Sequence, residues 1–121
     1  MIMRRVITNS ELNETIRFLK VKARENKAKI WEVAAEHLSR PRRARAALNI
    51  GDIARLATAK STVLVPGKVL GAGIIDQPII VGAFEFSQSA KAKIERAGGK
   101  CVAIQEFVKQ YPKGSEVKIL R

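Results

Sequence analysis

Cysteine, histidine, aromatic rings and acids are all scarce in this 121-residue chain. A single cysteine, Cys101, excludes a disulfide framework and a cysteine-based zinc site. It lies in the apolar run Cys101-Val102-Ala103-Ile104 and reads as a small buried hydrophobe rather than a reactive thiol. The single histidine, His37, has no second His or Cys at ligand spacing, so no metal site is expected. Four Phe, one Trp and one Tyr are too few for the row of exposed rings on which single-stranded nucleic acid stacks. No apolar run approaches the roughly 20 residues that a membrane span needs. The opening Met-Ile-Met-Arg-Arg is not followed by the apolar core of a signal peptide. The expectation is a soluble, intracellular chain with no membrane partner.

The shortage of acids has the largest consequence. Eleven Asp and Glu face 23 Lys and Arg, a formal net charge of +12. Such an imbalance costs self-repulsion in the compact state and is relieved when a polyanion neutralises it. The excess is uneven: residues 1–60 carry +8 and residues 61–121 carry +4. Between Glu36 and Asp76, seven cations face one acid, Asp52. Four of those cations form the run Arg40-Pro41-Arg42-Arg43-Ala44-Arg45. Guanidinium groups bind phosphate as bidentate forks. Pro41 keeps the backbone extended, so successive arginines can follow a phosphate chain. No helix-turn-helix or zinc-finger pattern is present to enter a DNA major groove. Folded RNA, recognised by shape and backbone, suits the run better.

The chain is long enough for one domain, and 46% hydrophobic residues can build its core. Asn9 and Ser10 can cap a helix reaching about Glu25, with Leu12, Ile16, Leu19 and Ala23 as its apolar stripe. Arg17, Lys20, Arg24 and Lys27 make a separate basic stripe at steps of three, four and three. A second helix reads from about Lys29 to Ser39, with Trp31 in its core face rather than serving as a stacking platform. A weak strand follows at residues 46–50. A short helix at residues 52–59 is then expected to turn Ile53, Leu56 and Ala57 inward. Residues 62–65 read as a buried strand closed by Pro66-Gly67, and residues 79–86 as a longer strand. Ser87 caps a helix stopped by Gly98-Gly99. A strand at 101–104, a helix at 105–110, a turn at 112–115 and a strand at 117–120 complete the chain. The pattern implies an α/β fold in which short strands alternate with short helices after a basic N-terminal helical arm. Residues 1–45 are expected to be the arm and residues 46–121 the α/β core, in one compact domain.

Pro66-Gly67-Lys68-Val69-Leu70-Gly71-Ala72-Gly73 invites a nucleotide-binding reading, but the spacing fails. A P-loop needs Ser or Thr after its lysine, and Val69 stands there. The dinucleotide pattern needs a glycine three residues after Gly73, and Asp76 stands there. The stretch reads instead as a close-approach loop that presses backbone amides and Lys68 against RNA. The acids are scattered and His37 has no triad, so no catalytic residue, cofactor or small-molecule substrate is expected.

Glu36-His37-Leu38-Ser39-Arg40-Pro41-Arg42-Arg43-Ala44-Arg45-Ala46-Ala47-Leu48-Asn49-Ile50 resembles a signature of the archaeal large-subunit ribosomal protein L eighteen-e family. That family is related to eukaryotic large-subunit protein eighteen and bacterial large-subunit protein fifteen. Val63 to Gly73 is similar to its central motif, and Phe86-Ser87, Ala90, Lys93-Ile94 and Gly98-Gly99-Lys100 to a segment shared with the bacterial relative. Tyr111-Pro112-Lys113-Gly114-Ser115-Glu116-Val117 fits the closing turn and strand. Leu48 stands where the family suggests valine, and Asp52 where it suggests a basic residue. The resemblance implies an irregular core of β-β-α turns behind a basic helical arm. It also implies a cytoplasmic ribosomal component whose partners are large-subunit ribosomal RNA and neighbouring ribosomal proteins. The expected RNA contacts are Arg4, Arg5, Arg17, Lys20, Arg24, Lys27, Arg40, Arg42, Arg43, Arg45, Gly67, Lys68, Gly71 and Gly73.

Overall fold

The structure is a computed structural model that describes residues 9–41, 46–57 and 61–120. Its elements run α1 (Asn9–Asn26), α2 (Lys29–Leu38), β1 (Ala46–Asn49), α3 (Ile50–Leu56), β2 (Thr62–Leu70) and β3 (Ile80–Phe86). They continue with α4 (Gln88–Arg96), β4 (Lys100–Ala103), α5 (Ile104–Gln110) and β5 (Val117–Ile119). The expected α/β class with a helical N-terminal segment is what forms. All the strand pairings are parallel. β2 is central, with β3 and then β4 on one edge.

The other edge of β2 is shared. β5 pairs with its first part, Thr62 opposite Val117, and β1 with its last part, Gly67 opposite Ala46. This corrects one sequence expectation: the strand does not close at Pro66-Gly67 but continues to Leu70. Proline lacks the N–H that a ladder position requires. Here Pro66 falls where pairing passes from β5 to β1, and the register against β3 shifts between Val65 and Lys68. The irregularity absorbs the missing donor, so the strand survives its proline.

Alternation along β2 divides the core between the two faces of the sheet. Val63, Val65 and Val69 point to one face, where Ile50 and Ile53 of α3 and Ala90 and Ile94 of α4 cover them. Leu64 points to the other, where Leu12 and Leu19 of α1, Trp31 and Leu38 of α2, and Phe107 of α5 form a second cluster. Fully burying each such side chain contributes about 1.5–3 kcal/mol relative to exposure. The α1–α2 segment is therefore packed on the sheet. A second correction concerns α3: Ile53 and Ala57 face inward as expected, but Leu56 is 43% exposed. The inward face of this two-turn helix is set by Ile50, Ile53 and Ala57, and at 3.6 residues per turn Leu56 lies to one side of it.

α1 and α4 end in the same turn. Gly99 N–H donates to the Ile94 carbonyl after α4, and Ala28 N–H to the Ala23 carbonyl after α1, each at 3.0 Å. That turn places one residue in the left-handed region, normally glycine. After α4 it is Gly98, at φ +88°, but after α1 it is Lys27, at φ +53°. Lys27 thus lies beyond the helix, at its C-terminal turn, and not within it.

Candidate nucleic-acid interface

α1 is held from below by its apolar side. Leu12 and Leu19 are buried, and buried Thr15 accepts a hydrogen bond from Gln105 Nε2 at 3.3 Å, which ties α1 to α5. The turn between α1 and α2 is clamped from the far end of the chain. Trp31 Nε1 donates to the Pro112 carbonyl at 2.8 Å, and Lys113 Nζ to the Asn26 carbonyl at 3.3 Å. The Trp31 ring meets Phe107 edge-on with centroids 6.1 Å apart. These contacts fix the direction in which α1 presents its opposite side. Arg17, Lys20, Arg24 and, past the helix end, Lys27 are all exposed there. None of the four has a hydrogen-bond or ion-pair partner among the described residues.

Other cations are engaged within the fold. Lys22 pairs with Glu25 at 3.0 Å, Arg55 with Asp52 at 3.2 Å, and Lys68 with Glu85 at 3.6 Å. Lys109 pairs with Glu106 at 3.6 Å, Lys93 donates to the Gly71 carbonyl at 2.8 Å, and Lys118 to the Leu56 carbonyl at 2.9 Å. Lys113 and Lys118 therefore meet carbonyls at the ends of α1 and α3, where cations stabilise the helix dipole. Among the described residues, geometry separates engaged cations from exposed ones, of which the α1 stripe is the ordered set.

The remaining candidate contacts are placed unequally. Arg40 is exposed just after α2. Arg4, Arg5, Arg42, Arg43 and Arg45 lie outside the described residues. Gly67 is buried inside β2, and Lys68 is a strand residue beside Glu85, so neither belongs to a loop. Gly71 packs against Ser89 at the start of α4, where a Cβ would collide with the Ser89 hydroxyl. Gly73, at φ +97°, crosses Gly51 so closely that a Cβ would stand 2.7 Å from the Gly51 Cα. Gly71 and Gly73 serve close approach within the protein itself, to the Ser89 side chain and to the Gly51 backbone.

Asp52, the acid in the basic tract, has a structural task. Its Oδ2 accepts the Asn49 N–H at 3.0 Å in a capping box at the start of α3. Lys91, Arg96 and Lys100 are exposed cations on the α4 side that sequence reasoning passed over. Their spacing makes no helical stripe, so periodicity offers no signal for them. Every aromatic ring is at least half-buried, with Trp31 and Phe107 fully so. Cys101 is half-buried, and burial, then the Glu95 carboxylate, push its thiol up to about 11.

Comparison with known proteins adds a family to this geometry. The model of the family described as ribosomal proteins 50S-L15, 50S-L18e and 60S-L27a matches residues 26–102. The chain is 49% identical over 118 residues to large ribosomal subunit protein eL18 of Methanopyrus kandleri, covering 93% of each chain. It is 46% identical over 114 residues to the protein of that name from Methanoregula boonei, covering 94% of each. It is 44% identical over 113 residues to the one from Pyrobaculum aerophilum, covering 93% of each.

Proposed function

Because this chain belongs to that family of ribosomal proteins, we propose that it is a structural constituent of the large ribosomal subunit that binds and stabilises large-subunit ribosomal RNA. It works in the cytoplasmic ribosome among neighbouring large-subunit proteins, and it is not an enzyme. The observation that carries the RNA-binding reading is the stripe of Arg17, Lys20 and Arg24, exposed side by side on α1 with no intramolecular partner among the described residues.

The mechanism is neutralisation on a rigid mount. RNA phosphates repel one another when segments pack closely. A line of cations fixed at helical spacing lowers that repulsion without losing much side-chain freedom elsewhere. The stripe spans about 10 Å from Arg17 to Arg24 at 1.5 Å per residue. Lys27 extends it at a conformational cost, since a non-glycine residue in the left-handed region is about 1–2 kcal/mol less stable there. A lysine held in that position supports a use for its charge. Arg40, with Arg42, Arg43 and Arg45, continues the RNA surface beyond α2, and Arg4 and Arg5 add to it ahead of α1. Gly67, Lys68, Gly71 and Gly73 enter the reading at one remove: they shape the fold that carries these cations. Residues 1–45 act as the basic helical part and residues 46–121 as the α/β core, within one compact domain.

The test is RNA binding against salt, with large-subunit ribosomal RNA as the probe. Each lost phosphate contact on duplex RNA removes about 0.9 from the salt-dependence slope, less on single strands. Arg17→Ala, Lys20→Ala and Arg24→Ala together are expected to lower the slope by roughly 2–3 while circular dichroism stays unchanged. Replacing Arg40, Arg42, Arg43 and Arg45 with Ala is expected to weaken incorporation into the subunit with the domain still folded. Unchanged binding in both variants sinks the reading.

A further inference from the structure

One stretch of the sequence carries no cation. Residues 69–90 contain no Lys or Arg. Much of this segment is buried in β2 and β3, but Ala72, Gly73, Ile74, Asp76, Gln77 and Pro78 are exposed in the loop between them. Ile74 is 81% exposed, more than Leu56 at 43% or Val21 at 41%. Asp76 has no ion-pair partner among the described residues. Lys93 is turned onto the Gly71 carbonyl at 2.8 Å.

The loop is also held in place. Asn49 Oδ1 accepts the Ala72 N–H at 3.3 Å, and the Gly51 N–H donates to the Ala72 carbonyl at 3.1 Å. Gly73 crosses Gly51 with no room for a side chain on Gly73 and only tight space on Gly51, and Ile75, next to Ile74, is buried. An aliphatic side chain is thus presented to solvent from a backbone anchored on both sides. Pre-organisation of this kind lowers the ordering cost of a contact.

We propose that residues 71–78 dock a neighbouring protein of the large subunit, one offering an apolar socket for Ile74 and a lysine or arginine for Asp76. The inference rests on the ribosomal reading above and names the surface that reading leaves unassigned. Charge chooses the partner. An exposed carboxylate with no ion-pair partner among the described residues repels phosphate and attracts a basic protein. An apolar anchor gains from a desolvated pocket, which a hydrated phosphate backbone does not provide.

The test is photocrosslinking inside purified large subunits after a moderate-salt wash. A benzophenone amino acid replaces Ile74 in one sample and Lys20 in another. Position 74 is expected to give one discrete RNase-resistant adduct with a subunit protein, and position 20 an RNase-sensitive adduct. An RNase-sensitive adduct at 74, or none, overturns this inference and leaves the RNA-binding reading standing. A chain that fails to sediment with the large subunit overturns both. Ile74→Ala, exposed and so harmless to the fold, is expected to speed release from the subunit about tenfold at low and high salt alike. Release at the unsubstituted rate counts against the docking surface.

Discussion

The α1 stripe and the 71–78 loop are both exposed, yet they are mounted by different physics. α1 is held by side chains: Leu12, Leu19, Trp31 and Phe107 share one apolar cluster, and the Trp31 indole reaches the Pro112 carbonyl. The loop is held mainly by backbone: Ala72 to Asn49 and Gly51, and Gly73 crossing Gly51. A side-chain mount tolerates variation at exposed positions, so a row of cations can be placed on it freely. A backbone mount tolerates almost none at the crossing, and what it presents is one aliphatic side chain and one carboxylate. The two surfaces therefore differ in charge and in how each can be broken.

The comparison breaks most completely at Trp31. Trp31→Ala is expected to cost about 3–5 kcal/mol, by cavity formation and by loss of a hydrogen bond, read from urea unfolding. Hydrogen exchange should then show α1 and α2 losing protection before α3 and α4. Equal loss on both faces of the sheet would mean that the helical mount is not a separate unit.

Gly73→Ala attacks the other mount. The left-handed φ and the approach to Gly51 are expected to cost roughly 2 kcal/mol. The loss should fall on the amide of Ala72 and the start of α3 and leave α1 protected. Wild-type stability in this variant would show that the crossing is not tight.

The smallest effect, of opposite sign, belongs to Lys27→Gly. Relief of the left-handed strain is expected to stabilise the free protein by about 1 kcal/mol. The same change should lower the salt slope of RNA binding by about 0.9 if the cation meets duplex phosphate. A variant that is more stable and binds RNA with an unchanged slope would remove Lys27 from the interface.

How much was legible follows the same division. The stripe on α1, the Ser87 cap, the Gly98 stop and the burial of Trp31 were readable because each depends on local periodicity or on one residue's backbone preference. Ser87 does accept the Ala90 N–H, at 3.2 Å. The length of β2 was misread because Pro66 is a breaker in local terms. What carries the strand past it is the hand-over from β5 to β1, two segments far apart in sequence. Leu56 was misread because the inward face of α3 is chosen by what covers it. The Gly71 and Gly73 stretch was recognised as a place of close approach, but not that Ser89 and Gly51 make that approach from within the chain.

Composition and order along the chain were enough to establish a basic α/β protein without a catalytic constellation, because charge balance and hydrophobic period are properties of the chain itself. The division of its cations is a different matter. Lys68 stops at Glu85, Lys93 at Gly71 and Lys118 at Leu56, while Arg17, Lys20 and Arg24 face outward. Only packing decides this, since whether a long flexible cation is engaged or exposed depends on which carbonyl or carboxylate the fold brings within reach.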